Sequence, residues 1–132
     1  MHVIRLRKPW SVVADQKERI DGIDIPEINP AQIVEGSSLV YTRKFNATPP
    51  VLRSTVILKL LGYNGRLTEI CLNQTPIPID RESATIATSD LTDLLQVHNR
   101  INVSLVRSNG VSPRLTGEVI LEISDRDTIR SR

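Results

Sequence analysis

Two strongly apolar runs, Thr55–Leu61 and Leu67–Leu72, flank Gly62-Tyr63-Asn64-Gly65, and this stretch constrains the fold more than any other. The runs are rich in Val, Ile, Leu and Thr, side chains that pack well on a pleated surface. An Asn-Gly step between such runs is the strongest short-range signal for a β-hairpin. Arg53–Gln74 therefore predicts two paired antiparallel strands. Val56, Leu58 and Leu60 share one face of the first, and Ile70 and Leu72 share a face of the second. Lys59, Glu69 and Cys71 fall on the opposite faces.

The remaining chain reads as further strands laid against this pair. Val3–Arg7 alternates, with Ile4 and Leu6 opposite Arg5 and Arg7, until Pro9, which has no amide hydrogen for a ladder. Trp10–Val13 resumes it on an edge, with Trp10 covering that edge, and Ala14–Asp24 reads as a loop or a ragged edge strand. Pro26 and Pro30 exclude regular helix around them. Ala31–Glu35 has room for one helical turn, started by Pro30 and stopped by Gly36. The isoleucines at 23, 25, 28 and 33 would pin this segment across the sandwich edge. Leu39–Phe45 is a strand with Leu39, Tyr41, Arg43 and Phe45 on one face, closed by Pro49-Pro50. Pro76 and Pro78 confine the next piece to an edge or loop, and Ala84–Ala87 is a short strand. Ser89–Leu95 has a capping residue followed by leucines at helical spacing. Ile101, Val103 and Leu105 alternate cleanly, Ser108–Arg114 is a loop, and Val119, Leu121 and Ile123 mark the last strand. The fold class expected is all-β: one domain over 1–132, a two-sheet antiparallel β-sandwich of about eight strands with one short helical turn near 90–95 and a polar tail at 124–132.

Composition narrows the partners. The chain carries 17 basic and 15 acidic residues, spread along its length, for a net charge of +2. That balance argues against a nucleic-acid or anionic-membrane surface. Cys71 is the one cysteine, which excludes an intrachain disulfide and a thiolate metal cluster. It alternates with Ile70 and Leu72 and reads as a small, half-buried packing residue. The opening MHVIRLRKPW lacks the apolar core of a signal peptide and no apolar run approaches membrane-spanning length, so a cytoplasmic location is expected. Asn46-Ala47-Thr48 and Asn102-Val103-Ser104 match the glycosylation pattern, by chance on this reading.

The order of short motifs carries a resemblance. Tyr41-Thr42-Arg43-Lys44-Phe45 is followed by the apolar strand 55–61, Ile70-Cys71-Leu72-Asn73-Gln74, Asp90-Leu91-Thr92-Asp93-Leu94-Leu95 and Asn99-Arg100-Ile101-Asn102-Val103. This order resembles the galactose-binding-like jelly-roll domain, in particular the sugar-binding-type module at the N-terminus of family 2 glycoside hydrolases. The resemblance covers about Ile25 to Ile123 and includes none of the catalytic domain. Two positions depart from the family pattern: Gln74 stands where a Gly is usual, and Leu60-Leu61-Gly62 replaces an acidic Phe-Glu-Gly. The resemblance implies a jelly-roll fold and a binding rather than a catalytic role.

The residues themselves supply little catalytic chemistry. Glycoside hydrolysis needs two carboxyls facing each other across a cleft, whereas Glu69 and Glu122 alternate with core residues and read as solvated. Asp90 and Asp93 belong to the capped turn, His2 is terminal and His98 stands in a turn, so no catalytic residue is assigned. No cofactor or metal is expected. The local candidates for a structural calcium, Asp21-Gly22-Ile23-Asp24 and Asp80-Arg81-Glu82, lack a loop signature. Sugars are usually held by an aromatic platform with planar polar groups around it. Of four aromatic residues, only Tyr63 falls in an exposed loop, beside Asn64 and Arg66. That trio either forms a small ligand-binding site or Tyr63 folds back over the hairpin. Arg43 would need a carboxylate or carbonyl partner if buried. Two functions follow: a non-catalytic binding module with a carbohydrate partner, or a structural domain with a protein partner and no small-molecule site.

Overall fold

Alternating side chains can bury one face of a strand only if a second layer covers it, and here two sheets cover each other. A computed structural model describes residues 2–26, 34–83 and 85–125. One sheet has the order β1 (His2–Arg5), β13 (Val119–Asp125), β5 (Ser54–Leu60), β10 (Ile86–Asp90) and β9 (Arg81–Ser83). The other runs β3 (Ile20–Ile23), β2 (Trp10–Ala14), β4 (Ser38–Asn46), β11 (His98–Val106), β7 (Arg66–Leu72) and β8 (Thr75–Ile77). The short strands β6 (Tyr63–Asn64) and β12 (Arg114–Leu115) pair separately. The pairings are antiparallel, as the all-β sandwich requires.

Val56, Leu58, Leu60 and Leu121 line the inner face of the first sheet, and Leu39, Tyr41, Ile70, Leu72, Ile101, Val103 and Leu105 that of the second, in one buried cluster. Cutting any of the buried leucines or isoleucines to alanine costs about 2–5 kcal/mol. Trp10 does not cover an edge. Because β3 lies outside it, β2 is an interior strand, and Trp10 is fully buried, edge-to-face on Tyr41 with ring centroids 6.4 Å apart. Its indole Nε1 donates to the Leu6 carbonyl at 2.8 Å, so the ring is buried without an orphaned donor.

The largest departure concerns the predicted hairpin. β5 and β7 lie in different sheets and do not pair. Alternation alone cannot separate the two arrangements, because strands paired side by side and strands stacked face to face both bury every second residue. The chain crosses between the sheets at 61–65, where the Gly62 carbonyl accepts the Thr116 and Gly117 amides at 3.1 and 3.0 Å. Among the central residues only Gly65 has a positive φ (85°), so Asn64-Gly65 does not make the two-residue turn with φ > 0 at both positions. That turn occurs one strand later. Asn73 and Gln74, with φ of 52° and 70°, connect β7 to β8, where Leu72 pairs with Thr75. Between Leu67 and Ile70 the inward spacing breaks from two to three, and the β7–β11 register slips there as a bulge.

Near 90–95 the chain makes a single turn closed by Leu94 N to Leu91 O at 3.0 Å, with the Asp90 carboxylate accepting the Thr92 amide at 2.9 Å. The α-helix among the described residues is instead α1 (Pro49–Leu52), which uses the two prolines as its first positions. The short strand read at Ala84–Ala87 falls at Ile86–Asp90. Of the polar tail at 124–132, Ser124 and Asp125 end β13, while positions 126–132, the first three residues of the turn from Ala31, and the pins at Ile28 and Ile33 lie outside the described residues. The inter-sheet crossing is tight: a Cβ on Gly117 would lie 2.6 Å from the Leu61 carbonyl and the Gly62 nitrogen, all backbone. Gly117→Ala should therefore cost about 1–3 kcal/mol by overpacking, read as a lower urea midpoint; an unchanged midpoint would contradict this close approach.

Candidate functional site

β4 and β11 lie side by side in the six-stranded sheet, and burying Tyr41, Ile101 and Val103 forces their alternate residues outward. Three polar rungs result: Asn46 opposite His98, Lys44 opposite Arg100 and Thr42 opposite Asn102. His98, expected in a turn, opens β11 instead. Its Nδ1 lies 2.9 Å from Asn46 Oδ1, and Asn102 Nδ2 donates to Thr42 Oγ1 at 2.8 Å. The middle rung differs. Lys44 and Arg100 are both exposed, and neither takes part in the ion pairs of the described residues.

The β7–β8 turn closes one end of this face. Asn73 donates its amide to Arg100 O at 2.9 Å, accepts Arg100 N on Oδ1 at 2.8 Å and donates from Nδ2 to Asn99 Oδ1 at 3.2 Å. Asn99, only 4% exposed, also accepts Gln96 N at 2.9 Å and donates to Gln96 O at 2.7 Å. A buried polar group satisfied this fully holds its neighbours in place. Two adjoining depressions follow. One of about 500 Å³ lies between Asn46, Gln96, His98 and the turn. The other, of about 590 Å³, runs toward Ser11, Asp21 and Asn102. They share Lys44, Gln74 and Arg100, and so form one polar trough.

Two side chains frame the far end. Asp21 accepts from Ser11 Oγ at 2.7 Å and pairs with Arg19 at 2.9 Å. Arg43 finds backbone carbonyls rather than a carboxylate: it donates to Lys44 O and, at 3.5 Å, to Lys8 O. Its Nε has no partner, and burial lowers the pKa of the guanidinium.

The trio read from the sequence is placed differently. Tyr63 is 3% exposed, not displayed at a tip, because the crossing carries it under β9, where its hydroxyl donates to Glu82 Oε2 at 2.6 Å. Burial, and then the Glu82 carboxylate, push the phenol pKa well up. Asn64 is half-buried and paired with Arg114. Tyr63 and Arg66 border a shallow depression of about 290 Å³ whose lining does not include Asn64. Of the calcium candidates, Asp80 accepts the Asp90 amide at 2.9 Å and Glu82 holds Tyr63. Among the described residues no three His, Cys, Asp or Glu side chains come together. Glu69 is exposed and accepts from Cys71 Sγ at 3.1 Å, while Glu122 pairs with Lys59 at 2.6 Å on the other sheet. Cys71 is half-buried as expected, and burial followed by Glu69 pushes its thiol up to about 11.

The trough residues Lys44, Asn46, Gln74, His98 and Arg100 were missed as a group. Their signal was present in the outward positions of Thr42–Asn46 and His98–Asn102, but the register that pairs them is not visible in either strand alone.

The sheet orders define a two-sheet antiparallel β-sandwich, and its fold is similar to part of several glycoside hydrolases. Among solved structures, a β-D-mannosidase from Dictyoglomus thermophilum matches 95% of this chain with a TM-score of 0.70 at 16% identity. A β-glucuronidase from an uncultured Clostridium sp. matches 95% with a TM-score of 0.72 at 15% identity. A glycoside hydrolase family 2 β-glucuronidase matches 93% with a TM-score of 0.73 at 11% identity. The chain spans 23%, 29% and 18% of those proteins, the size of one module within each. At such identities the shared property is the fold. No family model matches the sequence, and no curated protein matches it.

Two stability measurements check these placements. A left-handed φ costs a side chain about 1–2 kcal/mol, against an entropic cost of about 0.5–1 kcal/mol for glycine. Gln74→Gly should therefore leave stability equal or raise it by up to about 1.5 kcal/mol, read as an unchanged or higher urea midpoint; a lowered midpoint would contradict the turn. Tyr63→Phe should cost about 1 kcal/mol by removing the bond to Glu82; no loss would place the hydroxyl in solvent.

Proposed function

We propose that the chain is a non-catalytic binding module for carbohydrate or a closely related polar ligand, held in the trough on the outer face of the six-stranded sheet. The observation that carries this reading is the row of amides and hydroxyls from Asn46 and His98 through Gln74 to Thr42 and Asn102, braced by the bonds around Asn73 and Asn99. Sugar hydroxyls donate and accept at once, and side-chain amides offer both roles from one rigid plane. The likeness in fold to a mannosidase and to β-glucuronidases supports carbohydrate as the ligand class. A non-catalytic role is supported by Glu69 and Glu122, which lie on different sheets and cannot face each other across one substrate.

A second reading, a protein-interaction domain without a small-molecule site, is favoured by one observation. No aromatic ring lines the trough: Trp10, Tyr41 and Tyr63 are buried in the core and Phe45 packs against it. Ligand recognition on the first reading rests on hydrogen bonds and charge rather than stacking, which points to affinities of the order of 1 mM. A glycan array and a nuclear magnetic resonance titration with a sugar panel separate the two. A ligand should move the amide signals of Asn46, Gln74 and Asn102, and Asn102→Ala should weaken binding several-fold without loss of fold. No ligand in either screen, with an oligomer or a co-purifying protein by light scattering, would favour the second reading.

A further inference from the structure

We infer that the trough selects an acidic saccharide, whose anionic group sits over the Lys44–Arg100 rung. This rests on the binding reading above and adds the chemical class of the ligand.

The argument begins with the ladder. Lys44 and Arg100 are direct cross-strand partners on an exposed face, and like charges placed opposite one another destabilise a sheet. The usual relief would be a neighbouring carboxylate. Among the described residues the only acidic side chain lining either depression is Asp21, which is already bonded to Arg19 and Ser11. Arg43 borders the second depression, but it shares the inward face with Ile101 and its fork is turned to backbone carbonyls, so the charge presented in the trough comes from the rung itself. The chain as a whole is nearly balanced at +2, so this concentration is local rather than a reflection of overall basicity. Positive charge gathered in a polar trough raises the local concentration of anions. Arg100 supplies a planar fork that fits two oxygens of one anionic group, and Lys44 a compact point charge beside it.

The flanking rungs specify more than a bare anion. They are Asn46 with His98 on one side and Thr42 with Asn102 on the other, spaced along the strands by about 6.7 Å. Each offers amide or hydroxyl groups to a ligand that continues past the charge in both directions. The two depressions meet at the cationic rung, with Gln74 on the shared lip. A sugar chain with an acidic unit in the middle presents hydroxyls outward and charge inward in this order. A carboxylate and a sulfate ester share this chemistry.

The test titrates the protein with three probes: tri-galacturonate, its fully methyl-esterified neutral counterpart, and a sulfated trisaccharide. Inorganic sulfate and poly-glutamate serve as comparators, with affinity followed through the amide shifts of Lys44, Gln74 and Arg100. The expected result is at least tenfold tighter binding of an acidic saccharide than of the neutral ester. This preference should shrink as salt rises from 20 to about 300 mM, and the first and third probes distinguish carboxylate from sulfate. Lys44→Gln with Arg100→Gln should abolish the preference while leaving the melting temperature equal or higher, because the like-charge pair is gone. Equal binding of ester and acid at the trough would overturn the inference while leaving the carbohydrate reading intact. No binding of any saccharide would sink both. Inorganic sulfate or poly-glutamate binding as tightly as the acidic saccharides would reduce the rung to a general anion patch and overturn it as well.

Discussion

A slip of one residue in the ladder between β4 and β11 would exchange the two faces of whichever strand moved. If β4 moved, Leu39 and Tyr41 would turn to water and Lys44 into the core; if β11 moved, Ile101, Val103 and Leu105 would turn to water and Arg100 into the core. Neither outcome is tolerable, since each buried large apolar side chain contributes about 1.5–3 kcal/mol and an unpaired buried charge costs more. The ladder therefore ties the two halves of the molecule together. The register that closes the core is the register that aligns three polar rungs on the outer face, and the Asn73 and Asn99 hydrogen bonds then hold the β7–β8 turn beside them.

The turn at Asn73-Gln74 shows the local cost of this arrangement. A two-residue connection with both φ values positive is ordinarily built from Asn-Gly, and the sequence departs from that at Gln74. Asn73 makes three hydrogen bonds that lock the turn to β11 and to Asn99, so the strained conformation is held from outside rather than chosen by Gln74. The result is a flexible polar side chain fixed at its base on the lip between two depressions. Asp15 and Gln16, with φ of 52° and 60°, make the same kind of turn after β2, closed by Lys17 N to Ala14 O at 2.9 Å.

Much of the sandwich was legible because alternation reports burial directly: the inward residues of β4, β11 and β13 are those their period of two selects. What alternation does not report is which sheet a strand joins. The runs on either side of Gly62-Tyr63-Asn64-Gly65 have the composition of a hairpin, and only contacts far along the chain, Gly62 with Gly117 and Tyr63 with Leu115, decide that they cross instead. The same long-range dependence hid the place of Tyr63 and the trough. Tyr63 looked exposed because its neighbours are turn-formers, yet Glu82, nineteen residues later, accepts its hydroxyl. The trough needs the pairing of residues more than fifty positions apart, such as Lys44 with Arg100, which no single stretch encodes.

The absence of an aromatic platform and the presence of a cationic rung belong to one physical argument. Stacking gives affinity to any sugar with an apolar face, so a site built on it is tight and broad. Hydrogen bonds exchanged with water contribute about 0.5–1.5 kcal/mol each, while an unmade bond to a desolvated group costs about 1–3 kcal/mol. A trough of amides and hydroxyls therefore discriminates by rejecting poor partners more than by holding good ones. Charge on a rigid ladder extends that logic. An exposed cation pair adds modestly to affinity in high dielectric, but it penalises its own strand pairing, so under the inference above its effect would be felt as a difference between ligands. On the proposed reading, such a surface, on a sheet already fixed by its core, would favour weak and selective attachment over tight capture.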